Sequence, residues 1–100
     1  MNEQAWLLVE VIEEFELECK IQIKLHDPSG SRDKEVTTNY QILVPKTKLN
    51  TTDQAIAPPE ALLMVRYMGE NNRRASVELP LPILEVGKRI TVDSVRVRIV

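Results

Sequence analysis

Cys19, His26, Asp27 and Ser29 are the side chains of this sequence whose types suit covalent chemistry. A hydrolytic triad needs a nucleophile, an imidazole and a carboxylate converging in a line from separated positions. Here His26, Asp27 and Ser29 are neighbours in His26-Asp27-Pro28-Ser29-Gly30, where Asp first, Pro second and Gly fourth suit a type I turn. Turn chemistry therefore accounts for Asp27 and Ser29. Cys19 follows Glu18 among apolar residues, where a thiol acts as a small hydrophobe. A reactive thiolate needs an electropositive, partly exposed setting. As the only cysteine, Cys19 also excludes an intrachain disulfide.

With one histidine and one cysteine, a His/Cys zinc site within one chain is excluded. Glu10, Glu13, Glu14, Glu16 and Glu18 carry the oxygens that Mg²⁺ or Ca²⁺ would take, but without the glycine-bearing loop of a calcium hand. They read as a solvated acidic face. The three glycines are well separated, so no phosphate-cradling loop exists. No catalytic residue, metal site or cofactor is expected.

The remaining candidate binding surface is basic: Lys46 with Lys48, Arg73 with Arg74, Lys88 with Arg89, and Arg96 with Arg98. Three of these four sites fall in or beside predicted turns. Oligonucleotide-binding barrels use such loops around a strand face, with aromatics for base stacking. Val86-Gly87-Lys88-Arg89-Ile90-Thr91-Val92 resembles a barrel strand of that class, which implies a nucleic-acid interface there. The aromatics are few, however: Trp6, Phe15, Tyr40 and Tyr67, with Phe15 assigned to the core.

Charge is unevenly placed around a net of −2. Residues 1–19 hold Glu3, Glu10, Glu13, Glu14, Glu16 and Glu18 and no base; residues 86–100 hold Lys88, Arg89, Arg96 and Arg98 against Asp93 alone. Either the two end segments pair, since opposite charges across strands attract, or the basic end forms a nucleic-acid patch. One hundred residues suit one domain with an unstapled core, and 43% hydrophobic content with four aromatics makes that core aliphatic. Met-Asn-Glu-Gln lacks a basic leader region and Glu10 interrupts the apolar run that follows. The expectation is no signal peptide, no membrane span and a cytoplasmic location. Asn50-Thr51-Thr52 matches a glycosylation sequon, which matters only for a secreted chain.

The elements that would position these groups are strands. Phe15 to Leu25 alternates without a break, placing Phe15, Leu17, Cys19, Ile21, Ile23 and Leu25 on one face. Leu7, Val9 and Val11 extend the same parity backwards, although Leu8, Ile12 and Phe15 also fit a helical stripe. One strand from 5 to 25 would reach about 70 Å at ~3.3 Å per residue, so a break is expected at Glu13-Glu14. Glu35 to Val44 forms the next strand, a hairpin partner with Val36, Thr38, Tyr40, Ile42 and Val44 on one face.

Pro45 to Glu60 lacks strand pattern, and Thr51-x-x-Gln54 resembles a capping box for one helical turn at Asp53–Ala57, pinned by Leu49 and Ile56. Ala61 to Met68 fits a strand whose hairpin loop Gly69-Glu70-Asn71-Asn72 leads into Ala75–Leu81, or alternatively a short helix. Pro80 and Pro82 withdraw two donors on one side, so Leu79 to Ile83 must be a sheet edge or an extended connector. A turn near Glu85–Lys88 opens the last segment, whose parity flips at Asp93-Ser94, the mark of a bulge or bend.

The sequence thus predicts a mostly β, antiparallel small sandwich or barrel of five to seven strands with one short helix at most, the alternative being α+β. The expected function is a non-catalytic protein-interaction, assembly or accessory module, with a protein partner or self-association. Single-strand nucleic-acid binding is the alternative.

Overall fold

The computed structural model describes residues 3–27, 36–53 and 56–99. The alternating segments all become strands: β1 Glu3–Glu14, β2 Glu18–Asp27, β3 Val36–Pro45, β4 Leu49–Asn50, β5 Glu60–Asn71, β6 Arg74–Ile83, β7 Gly87–Asp93 and β8 Val97–Ile99. They form one antiparallel curled sheet in the order β3-β2-β1-β5-β6-β7, with β4 added beside β5 and β8 beside β1. The fold is mostly β, as the alternation predicts. Two 3₁₀ turns, Lys46–Lys48 and Ser94–Arg96, are the only helical pieces among the described residues. No helix is long and apolar enough to cross a membrane among those residues.

β1 and β5 are the spine. They pair over Glu3–Glu10 against Tyr67–Glu60, and each changes partner along its other side. β1 pairs β8 at Ala5–Leu7 and then β2 from Glu10 to Glu14. β5 pairs β4 at Leu62–Leu63 and then β6 from Arg66 to Asn71. The short strands thus occupy the stretches that diverging long strands leave open. Because β8 follows β7 through one 3₁₀ turn, the pairing path β1-β5-β6-β7 returns through β8 to β1. The curl also brings β2 close to β7 across the core.

The buried face has the expected parity. Ala5, Leu7 and Val9 of β1, Cys19, Ile21, Ile23 and Leu25 of β2, and Val44 of β3 meet Ala61, Leu63, Val65, Ala75, Val77, Leu79, Ile83, Ile90 and Val92. Fully burying a large aliphatic side chain is worth about 1.5–3 kcal/mol before entropy. Leu62 is buried too, although its parity places it on the opposite face, beside Leu8 of β1 and Asn50 of β4. Tyr40 and Ile42 of β3, Val11, Leu49, Tyr67 and Val97 pack against the core from its rim.

Several sequence expectations need correction. Phe15 and Leu17 do not join the core: they are 42% and 80% exposed. The Phe15 N–H donates to the Glu18 carbonyl at 2.8 Å, closing a hairpin around Glu16-Leu17, so the alternation runs through a turn where parity no longer sets the face. The break expected at Glu13-Glu14 is a register shift between Val11 and Glu13 followed by this turn. The two end segments do meet, where β8 pairs β1, but the acidic outer face of β2, which lies between β1 and β3, does not face the basic C-terminal strand.

The β5–β6 hairpin turns at Asn72-Arg73, both at positive φ (52° and 64°), a pattern that matches the right-handed twist of the flanking strands. Gly69, at φ 146°, serves a register shift next to Tyr67 rather than the loop. Ladder partners of β6 skip from Glu78 to Ile83, so the Pro80–Pro82 stretch is an extended connector, as its missing donors require. Gly87 at φ 96° completes the turn in which Val86 N–H donates to Ile83 C=O at 3.0 Å. The parity flip after β7 is the second 3₁₀ turn, capped by Asp93 Oδ1 accepting from Val95 N–H at 3.3 Å. Residues 28–35 and 54–55, the latter including the Gln54 on which the capping-box expectation rests, lie outside the described residues; just before them the Asn50 side chain accepts from the Thr52 N–H at 2.9 Å and hydroxyl at 3.0 Å.

Candidate functional site

One cleft is built where the β1–β2 hairpin, the first 3₁₀ turn and the 58–60 segment converge. It measures about 320 Å³, with Val11, Cys19 and Leu49 below and Glu14, Lys46, Thr51 and Glu60 around it. Each group arrives from a different local cause. Val11 N–H donates to Pro59 C=O at 2.7 Å, fastening β1 to the approach of β5. Lys46 N–H donates to Leu17 C=O at 3.0 Å, which extends the β2–β3 ladder around the hairpin turn. That extension carries the Lys46 ammonium to 2.8 Å from Glu14 Oε1.

The electrostatics of the cleft are self-satisfied. The hydrogen bond from Lys46, aided by its charge, holds the Glu14 carboxyl below its usual range, and the same bond holds the Lys46 ammonium above its own. Burial pushes the Cys19 thiol up, and the nearby Glu14 carboxylate pushes it further. A thiol shifted that way stays protonated at neutral pH and is a poor nucleophile. Cys19 is therefore not an activated thiolate, and the Glu14 carboxylate is committed to Lys46. Among the described residues no three His, Cys, Asp or Glu side chains converge as a metal cage would require.

The basic residues are spread around the sheet. Lys46 and Lys48 lie in the first 3₁₀ turn, Lys46 on Glu14 and Lys48 beside a groove with Glu3, Gln4, Arg66 and Glu78. Arg89 Nε is 3.7 Å from Glu78, and Arg66 is 3.7 Å from its other oxygen; the three are ladder neighbours across β5, β6 and β7. Lys88 is an exposed neighbour of Arg89 on β7. Arg98 Nη1 lies 3.4 Å from Asp53, which ties residues 51–53 to the last strand, and in the β1–β8 ladder Arg98 stands opposite Trp6. Arg74 sits opposite Asp93 in the ladder.

Ser94 N–H donates to Arg73 C=O at 2.9 Å, which joins the backbone of the second 3₁₀ turn to the β5–β6 turn, while Arg96 at the far end of that 3₁₀ turn lines a groove with Glu10, Lys24 and Glu60. Sequence spacing gave no sign of the Ser94–Arg73 contact, which joins segments more than twenty residues apart.

A larger opening, about 770 Å³, runs along β3. Thr38 to Leu43 form one wall and Leu81 to Glu85 the other. Sequence reading missed it because it depends on β3 being an outer strand of the sheet. No protein-family model, curated protein or solved structure matches this chain.

Proposed function

We propose that this protein is a non-catalytic interaction or assembly module, working through surface contacts rather than through a reacting site. The observation that carries this reading is the set of large apolar side chains left in water: Leu84 (100% exposed), Val95 (82%) and Leu17 (80%), with Leu43 and Leu81 along the β3 groove. Isolated exposed apolar residues such as Val95 and Leu17 are ordinary, but Leu43, Leu81 and Leu84 line one groove beside an outer strand, which suits a partner. The Glu14–Lys46 pair and the raised Cys19 thiol in the cleft support the same reading, since neither that carboxylate nor that thiol is activated.

β8 pairs β1 inside the chain, and among the described residues the nearest carboxylates to Arg98 and Arg89 are Asp53 and Glu78 rather than the acids of the first strand. A photo-crosslinking residue placed at position 84, against one at the exposed Glu70, tests the reading in cells of the native source. Crosslinks to a defined protein, including a second copy, from 84 and not from 70 support it. Equal or absent crosslinking from both ends it.

A second reading, single-strand nucleic-acid binding, is supported by the exposed Arg73 and Arg74 at the β5–β6 turn. It predicts a salt-dependent shift of a labelled oligonucleotide that Arg73→Ala with Arg74→Ala weakens. No shift at low salt removes it.

A further inference from the structure

The sheet ends in two outer strands, and they differ in kind. β7, seven residues long, carries Lys88, Arg89 and Asp93. Short length and charge are the usual guards against edge-to-edge pairing. β3 is ten residues long, Val-Thr-Thr-Asn-Tyr-Gln-Ile-Leu-Val-Pro, with no charged residue, no glycine and proline only at its end. Its own sequence therefore carries none of the charge, glycine or interior proline that guards an edge, and the nearest described neighbour on that side is the end of β6 across the groove.

The pairing pattern shows which backbone groups that edge offers. Phe15 N–H bonds Glu18 C=O, so Glu18 turns its backbone groups toward β1. Backbone groups alternate sides along a strand, so Cys19, Ile21, Ile23 and Leu25 turn theirs toward β3. Their ladder partners Val44, Ile42, Tyr40 and Thr38 answer them. The Lys46 N–H bond to Leu17 C=O has the same parity. Asn39, Gln41 and Leu43 therefore aim their N–H and C=O groups at the open edge, with their side chains on the exposed face.

The surroundings select what can pair there. Glu85 is the only charged residue lining the groove beside β3, and the facing wall contains Pro82, which has no N–H to compete for an incoming strand. An occupant must be extended, uncharged and free of interior proline. β3 itself meets each condition, and its neutrality matters for a two-fold contact: antiparallel pairing of a strand with its own copy sets like residues near like, which any charged edge would oppose.

Resting on the interaction-module reading, we propose that β3 pairs antiparallel with β3 of a second copy, joining the two sheets into one through Asn39, Gln41 and Leu43. The test is sedimentation velocity over a dilution series, with residue-resolved hydrogen exchange on the same samples. The expected result is a reversible dimer in which the amides of 39, 41 and 43 are protected together with those of 38, 40 and 42. Asn39→Lys with Gln41→Lys should give a folded monomer in which only the odd-numbered amides lose protection, by at least about tenfold, since β2 still holds the even ones.

Gln41→Pro should likewise yield a folded monomer, because that N–H serves the edge alone. Its circular dichroism and melting should match those of the lysine variant. A monomer at every concentration overturns the proposal while leaving a partner of another kind open to the crosslinking experiment. A dimer that survives both variants overturns β3 as the interface while leaving assembly as the function.

Discussion

Glu14 and Lys46 stand 32 positions apart in the chain and meet at 2.8 Å across the mouth of the Cys19 cleft. Their pairing sets a pH signature. The depressed Glu14 carboxyl contributes stability above the ordinary carboxylate range, lost as pH falls through its lowered value; the raised Lys46 contributes below the ordinary lysine range, lost as pH rises through its raised value. Glu14→Gln should therefore melt slightly below the parent at neutral pH and converge with it at both extremes. Both groups are well exposed, so the gap is small. Differential scanning calorimetry across pH checks this, and a gap that widens on acidification contradicts it.

Cys19 should behave as a core residue. A thiol reagent at neutral pH should leave it intact in the native protein and titrate it fully in denaturant. Cys19→Ser places a hydroxyl among apolar neighbours and should cost about 1–3 kcal/mol in urea unfolding. Rapid native labelling would show that the cleft opens.

Leu63 is where three strands meet: Leu7 of β1 lies opposite on one side and Leu49 of β4 on the other. Leu63→Ala should cost about 2–5 kcal/mol, lowering the melting temperature by roughly 10 °C or more at ~4–8 °C per kcal/mol for a domain of this size. Leu84→Ala, fully exposed, should stay within about 0.5 kcal/mol of the parent. Similar losses at both positions would contradict the burial pattern.

Arg73 holds φ at 64°, where a Cβ is crowded by its own backbone. Arg73→Gly should raise stability by about 0.5–1 kcal/mol, read as a higher urea midpoint with unchanged slope. A drop would mean that the arginine side chain contributes more than the turn geometry costs.

The strands were legible wherever one face is buried and the other wet. β2 and β3 show this, and so does the connector that Pro80 and Pro82 enforce. Alternation failed for two physical reasons. Phe15 and Leu17 keep the pattern while the backbone turns beneath them. In β5, Leu62 and Leu63 are both buried although they point to opposite faces, so period two blurs into something a helix could also satisfy. β4 and β8, at two and three residues, are too short to display any period. The Cys19 cleft was not legible, since its walls come from the 11–19, 46–51 and 58–60 segments. The bases were read at their turns, but their carboxylate partners at Glu14, Glu78 and Asp53 depend on sheet order.

The ladder that sets Ala5 against Ile99 has an architectural consequence. Antiparallel partners of this kind sit about 5 Å apart, so chain entering at Ala5 and chain leaving at Ile99 pass through the same doorway. A unit with that geometry can be spliced into a surface loop of another protein without prising the host apart. It can equally be re-threaded, with a short bridge across the doorway and new ends opened at Asn72-Arg73.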